Sequence, residues 1–149
     1  MTERVDFYVL PGRVPTQRWN FACRLTEKAY GRDLKVVLWS ENRAEIEALD
    51  ELLWTFSEGS FVPHAVIDAP AQPPPAPVQL TADLDRVTAA DLLVNLGLSL
   101  PARLERFARV AEIIDADEER RRLGRERFKS YRDLKFAIET HQLDEAGGA

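Results

Sequence analysis

Short hydrophobic runs alternate with amphipathic segments over the first third of the chain. Val5–Leu10 and Lys35–Trp39 are nearly continuous in apolar, β-branched and aromatic residues, which predicts two buried strands. Thr16–Tyr30 has apolar residues at helical spacing, and a second segment with that spacing runs from Asn42, a typical N-cap residue, to about Trp54. Buried strands that alternate with amphipathic helices favour an α/β fold with a parallel sheet.

The middle of the chain predicts further strands. Phe61–Ile67, Val78–Leu80 and Asp91–Gly97 are short apolar segments that fit strands. Arg106–Ile114 has a mixed period that fits a strand or a helix, and its weak alternation favours a strand. Ala69–Pro77 is rich in Ala and Pro, which predicts a stiff, extended connection on the surface.

A long helix is predicted near the C-terminus, from a cap at Asp115 or Asp117 to about Thr140. At about 100° per residue, one side of this helix is expected to face the core. That side carries Leu123, Arg127, Tyr131, Leu134 and Ile138. The opposite side carries four cations, Arg121, Arg125, Lys129 and Arg132. Phe128 and Phe136 flank the cations, so two aromatic rings are expected on the outer face.

The stretch from Arg120 to Lys135 is strongly basic within an acidic protein. Eight of its sixteen residues are Lys or Arg and two are acidic, so it carries six net positive charges. Because the whole chain carries −5, the remainder carries −11. A charged outer face is common on a solvated helix, but such a face normally mixes both signs. A face of one sign beside aromatic rings suits an acidic peptide with an aromatic anchor, or a single nucleic-acid strand.

The sequence contains no recognisable motif for catalysis or cofactor binding. It lacks a P-loop, and the turn Pro11-Gly12-Arg13 after the first predicted strand lacks the glycine pattern of a dinucleotide site. His64 and His141 have no neighbouring ligand set at metal spacing, and His64 is expected to be a structural hydrogen-bonding residue. Cys23 falls on an apolar side of a helix, which predicts a core residue. We therefore expect no enzymatic activity, no cofactor and no metal site.

Length indicates a single domain over residues 1–149, and the lack of membrane-span and export signals indicates a cytoplasmic protein. No apolar run reaches the ~18 residues that are needed to span a bilayer. The first residues include charges in place of the hydrophobic region of a signal peptide. Binding of the basic helix to lipid is disfavoured, because its apolar side is narrow and the rest of the protein is acidic.

A second unusual stretch, Leu53–His64, has the sequence LWTFSEGSFVPH. Its three aromatic residues, Trp54, Phe56 and Phe61, surround a turn-forming segment. Two interpretations stay open at this point. The rings fill the core at the end of a helix, or they form an exposed apolar patch that binds a protein partner.

These stretches resemble the chi subunit of the bacterial DNA polymerase III holoenzyme. The resemblance rests on LDELLWTFSEGSFVPH, residues Leu49–His64, and on RERFKSYR, residues Arg125–Arg132, in the same order and at a similar separation. It implies an α/β, Rossmann-like three-layer sandwich with a mainly parallel central sheet and a long C-terminal helix. It also implies a non-catalytic replication adaptor of the clamp-loader complex. Such adaptors bind the acidic, Phe-terminated C-terminal tail of single-stranded-DNA-binding protein (SSB) and pair with the psi subunit.

The resemblance also implies which residues bind. The SSB tail site would comprise Arg121, Arg125, Phe128, Lys129 and Arg132. The site for the partner subunit would comprise Trp54, Phe61, Val62 and Pro63. Phe128 stands where the family often has Tyr. A repair helicase is an alternative partner for the second site, and direct binding of single-stranded nucleic acid is an alternative for the first. The expected location is the cytoplasm, at replication forks of the nucleoid.

Overall fold

The computed structural model describes residues 2–57, 59, 61–67 and 76–144, and in these ranges seven strands form one parallel sheet. The strands are β1 (Arg4–Val9), β2 (Val36–Trp39), β3 (His64–Val66), β4 (Val78–Thr81), β5 (Ala90–Asn95), β6 (Phe107–Ile114) and β7 (Ile138–Gln142). Their order across the sheet is β3-β4-β2-β5-β6-β1-β7, and every pair of neighbours is parallel. The predicted α/β fold with a parallel sheet is confirmed. The strand favoured for Arg106–Ile114 is also confirmed, as β6.

Three α-helices in the described ranges cover the sheet. They are α1 (Pro15–Gly31), α2 (Arg43–Thr55) and α3 (Glu118–Asp133). Residues of α1 and α2 pack into the core on one face, and α3 contributes to the core on the other, so the protein has three layers. Asn42 caps α2 as predicted, because its Oδ1 accepts a hydrogen bond from the Ala44 backbone N–H at 2.9 Å. None of the helices in the described ranges is long and apolar enough to cross a membrane.

The sheet separates two hydrophobic cores, because successive strand residues point to opposite faces. Leu38 of β2 faces the core under α1 and α2, whereas Val37 faces the core under α3 together with Tyr131. Cys23 of α1 is fully buried in the first core, as predicted from its apolar surroundings. Burial raises the pKa of its thiol to about 12, so the thiol is protonated at neutral pH.

The C-terminal helix is shorter than the sequence predicts. It ends at Asp133, not near Thr140, because Lys135 adopts φ 68° and breaks the helical path. Ile138 therefore belongs to β7, which pairs with β1 at the edge of the sheet. The predicted core-facing residue Leu134 lies beyond the last helical turn and is 56% exposed.

The third strand and the connection after it also differ from expectation. The strand predicted over Phe61–Ile67 is limited to His64–Val66. The predicted extended connection Ala69–Pro77 lies almost entirely outside the described residues. Short 3-10 turns at Leu84–Arg86 and Leu104–Arg106 precede β5 and β6 and place Leu84 and Leu104 in the core under α3.

Candidate functional site

A cavity of about 300 Å³ opens between α3 and the strands β1, β6 and β7. Its lining is apolar on the sheet side and carries arginines on the helix side. The lining residues are Phe7, Val9, Ile114, Arg121, Gly124, Arg125, Phe128 and Thr140. An engineered apolar cavity of about 150 Å³ is large enough to bind benzene, so this cavity, here called the α3 pocket, has room for one aromatic side chain.

Two residues of α3 give the pocket its shape. Gly124 lets the helix approach the sheet closely, because a Cβ at this position would overlap the Ile114 side chain. Phe128 forms a wall, with its ring centroid 5.3 Å from that of Phe7 and the ring planes tilted by 56°. The prediction of an outward Phe128 ring is therefore wrong in part, since the ring is half-buried against the sheet. Phe136 is likewise half-buried, 6.1 Å from the Tyr131 ring.

The predicted cations differ in exposure and in whether their side chains are paired with other residues. The side chains of Arg125 and Lys129 are exposed and form no hydrogen bond or ion pair with another described residue. Arg121 is half-buried and bends back over the strand ends, donating from Nε to the Asp115 carbonyl at 3.1 Å. Arg132 is exposed, with its Nε 3.6 Å from Asp133, and does not line the pocket. The structure thus places Arg121 and Arg125 at the pocket and Lys129 and Arg132 on the neighbouring surface of the helix.

A buried ion pair sets the rotation of α3. Arg127 Nε donates to Glu112 Oε1 of β6 at 3.0 Å, and the two residues are 6% and 0% exposed. The other carboxylate oxygen of Glu112 accepts hydrogen bonds from Tyr131 Oη at 2.6 Å and from Asn95 Nδ2 at 2.9 Å. Burial raises the pKa of Glu112, and the Arg127 cation opposes that effect. Arg127 also donates to the Leu98 carbonyl at 2.8 Å, which ties α3 to the loop after β5.

The start of α3 is fixed by two acidic residues with different roles. Asp117 is the N-cap, and its Oδ2 accepts from the Arg120 backbone N–H at 3.0 Å. Asp115 is fully buried and binds the Arg120 guanidinium through two hydrogen bonds, at 2.8 and 2.7 Å. Of the two predicted cap residues, Asp117 therefore caps the helix and Asp115 neutralises Arg120.

A second exposed feature lies at the end of α2. Trp54 is 53% exposed and Phe61 is 63% exposed, and their ring centroids are 5.7 Å apart. Val62, predicted as part of the same contact surface, is 1% exposed and packs in the core, so it cannot contact a partner directly. Pro63 is half-buried. We call Trp54 and Phe61 the aromatic patch.

His64 packs against Trp54 of the aromatic patch and hydrogen-bonds the backbone beside it. Its Nδ1 lies 2.6 Å from the Val62 carbonyl and its Nε2 lies 3.0 Å from the Asp50 carbonyl, so it holds the turn onto α2. Its ring centroid is 4.4 Å from that of Trp54. These contacts agree with the prediction that His64 is a structural hydrogen-bonding residue.

A polar cluster at the other side of β1 could not be inferred from sequence spacing. The parallel pairing of β1 with β7 brings Asp6, Glu139 and His141 together with ligand atoms within 4.8 Å of one another, a geometry that could hold a metal ion. Two cations already neutralise the carboxylates. Arg109 Nη2 lies 2.9 Å and Arg4 Nε 3.2 Å from the Asp6 carboxylate, and Arg4 Nη1 lies 3.4 Å from Glu139 Oε2. The cluster is therefore best described as an ion-pair network that joins β1, β6 and β7.

Comparison with known proteins decides the family. The family model described as "DNA polymerase III chi subunit, HolC" matches residues 1–139. The chain belongs to the DNA polymerase III chi subunit family. The sequence resemblance is thus confirmed over almost the whole chain, and the protein is a member of a family of replication proteins.

Individual relatives agree with this assignment. The chain is 36% identical over 140 residues to DNA polymerase III subunit chi of Pseudomonas aeruginosa, which covers 94% of this chain and 96% of the relative. It is 26% identical over 144 residues to subunit chi of Haemophilus influenzae, with 96% and 99% covered. The fold also resembles one chain in a solved structure of S. cerevisiae Dbp5 bound to Nup159, Gle1, IP6 and ADP. That likeness has a TM-score of 0.61 and 13% identity, covering 96% of this chain and 42% of the other, and it concerns the fold alone.

Proposed function

We propose that this chi family member is a non-catalytic adaptor that binds the acidic, Phe-terminated C-terminal tail of SSB in the α3 pocket. The observation that carries the proposal is the combination of an apolar cavity of about 300 Å³ with Arg121 and Arg125 in its lining. A terminal Phe offers an aromatic ring and a carboxylate on the same residue. The pocket offers a matching apolar space and positive charge side by side.

The ring and the charges would contribute differently to binding. Burial of the Phe ring against Phe7, Val9 and Ile114 would supply the main favourable free energy, since an apolar side chain of this size contributes about 1.5–3 kcal/mol when fully buried. Arg125 and Lys129 would attract the terminal carboxylate and the acidic residues that precede it. Each exposed ion pair adds only about 0–1 kcal/mol. The complex should therefore be of roughly micromolar affinity and weaken as salt rises.

For the aromatic patch we propose a second protein contact, with a psi subunit. Trp54 and Phe61 are large exposed rings in contact with each other, and rings of this kind commonly anchor protein interfaces. Val62 and Pro63 would hold the turn that presents Phe61, with Val62 acting from inside the core. The same patch would suit a repair helicase if that protein takes the place of psi. Both contacts would operate in the cytoplasm, at replication forks.

Direct binding of single-stranded nucleic acid through α3 is the competing function. The cations of the helix favour it, but the net charge of −5 opposes association with a long polyanion beyond this helix. A short peptide whose negative charges and ring match one pocket suits the observed geometry better.

The test is a fluorescence anisotropy titration of a labelled acidic peptide that ends in Phe. The wild-type protein should bind it saturably, and Lys129→Glu should weaken binding by about fivefold or more. Lys28→Glu is the matched control, since Lys28 is an exposed lysine in the last turn of α1, on the other face of the sheet. Equal binding by the wild-type protein and Lys129→Glu would show that the site assignment is wrong. In parallel, saturable binding of labelled oligo-dT without SSB would favour the nucleic-acid function instead.

A further inference from the structure

A second, more polar groove of about 550 Å³ continues from the α3 pocket towards the start of the helix. It lies between the loop that follows β1 and the first two turns of α3. Its lining residues are Arg13, Ala116, Glu118, Glu119, Arg121, Arg122 and Arg125. Arg121 and Arg125 line both spaces, so one extended ligand can pass from the pocket into the groove without leaving the protein surface. We call this space the upstream groove.

The position of the groove follows from the topology of the sheet. β1 and β6 are neighbours, and the chain leaves β1 for α1 on one face and leaves β6 for α3 on the opposite face. The two connections separate at the carboxyl ends of these strands and leave a crevice between them. Crevices of this kind are the usual ligand sites of parallel α/β sheets. The upstream groove occupies this crevice, whereas the α3 pocket lies beside it under the helix.

The loop that carries Arg13 is held in place. The Gly12 carbonyl accepts a hydrogen bond from the Ala116 backbone N–H at 2.8 Å, which joins this loop to the one before α3. On the other side of Arg13, Pro15 begins α1 and fixes the direction of the chain. Arg13 itself is exposed. Its backbone is therefore anchored on both sides while its side chain is available to a ligand.

Some of the arginines that line the groove are paired with carboxylates and others are not. Arg122 is occupied on its own helix, by Glu119 and by Glu126, whose carboxylate lies 3.6 Å from Arg122 Nη1. The side chains of Arg13 and Arg125 form no hydrogen bond or ion pair with any other residue in the described part of the chain. These two cations come from different segments and both line the groove.

The positive charge of Arg13 acts on Asp117, the N-cap residue of α3. The hydrogen bond from the Arg120 backbone N–H is the main cause that lowers the pKa of Asp117, and the positive charge of Arg13 contributes in the same direction. A carboxylate in the groove would likewise be attracted by Arg13, against some repulsion from Glu118 in the same lining.

We propose that the upstream groove is a carboxylate subsite, in which Arg13 and Arg125 bind acidic residues that precede the terminal aromatic residue of the peptide. This inference rests on the proposed function, because it requires the terminal ring to occupy the α3 pocket. The pocket then selects the aromatic end of the ligand, and the groove selects negative charge upstream of it. Arg13 lies far from α3 in sequence, so this part of the site is assembled by the fold.

The experiment compares two peptides that differ only in upstream charge. Both end in Phe with a free carboxylate, and the second has Asn in place of each upstream Asp. Arg13→Glu should weaken binding of the acidic peptide by about three- to tenfold and leave binding of the Asn peptide within about twofold of wild type. Arg32→Glu is the matched control, because Arg32 is exposed at the opposite end of α1 and should change neither affinity.

The outcomes separate the subsite from the pocket. If Arg13→Glu binds the acidic peptide as tightly as the wild-type protein does, or loses both peptides equally, the subsite proposal is overturned. If the wild-type protein binds neither peptide, the proposed function is wrong, and the subsite proposal that depends on it is wrong as well. Arg13→Gln should give a smaller loss than Arg13→Glu for the acidic peptide, since it removes a charge without reversing it. An unchanged melting temperature of both variants would show that the fold is intact.

Discussion

Arg127 of α3 and Glu112 of β6 form a buried ion pair, with Arg127 Nε 3.0 Å from Glu112 Oε1. This contact fixes which side of α3 faces the sheet. Phe128, the next residue, is then turned against Phe7, while Arg125 remains in solvent above the α3 pocket. An ion pair that contacts no ligand thus positions the residues proposed to bind one.

Removal of one partner of this pair should be costly. We expect Arg127→Met to lower the free energy of unfolding by about 3–5 kcal/mol, because it leaves the Glu112 carboxylate buried without its cation. The double variant Glu112→Gln with Arg127→Met should be closer to wild type than the single variant, because Gln carries no charge and can still accept hydrogen bonds from Tyr131 and Asn95. Urea unfolding followed by circular dichroism measures both. A double variant that is less stable than Arg127→Met would contradict this account of the pair.

Peptide binding should require an aromatic ring at position 128 and should tolerate a hydroxyl group added to that ring. We expect Phe128→Tyr to retain peptide binding, since a Tyr ring can still form the pocket wall beside Phe7. Phe128→Ala should weaken peptide binding at least tenfold, because it opens one side of the pocket and removes the ring contact. Isothermal titration calorimetry with the acidic, Phe-terminated peptide compares the two. Retention of full affinity by Phe128→Ala would place the binding site elsewhere.

Asp6 should make the stability of the protein depend on pH in the acid range. Burial alone would raise the pKa of Asp6, but hydrogen bonds from His141 and Arg109 outweigh it, so its pKa lies below the ordinary value. A carboxyl group with a lowered pKa stabilises the fold above its unfolded pKa of about 3.9, and this contribution is lost as pH falls through the folded pKa. We expect Asp6→Asn to cost about 1–3 kcal/mol at pH 7.

The pH series provides the control for Asp6. The difference in unfolding free energy between wild type and Asp6→Asn should shrink steadily as pH falls below about 4, because wild-type Asp6 then becomes protonated. Urea titrations at several pH values measure this difference. A difference that stays constant down to pH 2 would show that the charge of Asp6 does not stabilise the fold.

The sequence predicts much of the architecture because most of its signals are local. Hydrophobic runs and helical spacing indicate six of the seven strands and all three α-helices found among the residues that the structure describes. The sequence does not reveal β7, since Ile138 continues the apolar period of the helix and nothing in the residue type marks Lys135 as the point where the helix breaks. The strand exists because it pairs with β1, from the other end of the chain.

The candidate site is predictable in its composition but not in its shape. Helical spacing places Arg125, Phe128 and Lys129 within one turn, yet the half-buried position of Phe128 depends on Phe7 of β1. The burial of Arg127 likewise depends on Glu112, whose position inside the apolar run of β6 is the signal that could have suggested a buried partner. Contacts between distant segments decide both features.

Two neighbouring residues at the aromatic patch, Phe61 and Val62, should differ in what they contribute, Phe61 to partner binding and Val62 to stability. Phe61→Ala should leave the free energy of unfolding within about 0.5 kcal/mol of wild type, because Phe61 is 63% exposed, and should abolish binding of the psi subunit. Val62→Ala, one residue further along, should instead cost about 1–3 kcal/mol of stability, because it removes buried methyl groups. Thermal unfolding and calorimetric titration with psi measure the two effects. A large fall in melting temperature for Phe61→Ala would show that the ring belongs to the core.

The position of the bound peptide's terminal ring decides whether the α3 pocket is the SSB tail site. Intermolecular nuclear Overhauser effects between the ring protons of the C-terminal Phe, in an acidic peptide, and the isotope-labelled protein report which side chains surround it. We expect contacts with the methyl groups of Val9 and Ile114 and with the ring of Phe128. Saturable binding in which the ring instead contacts Trp54 and Phe61 would contradict this assignment.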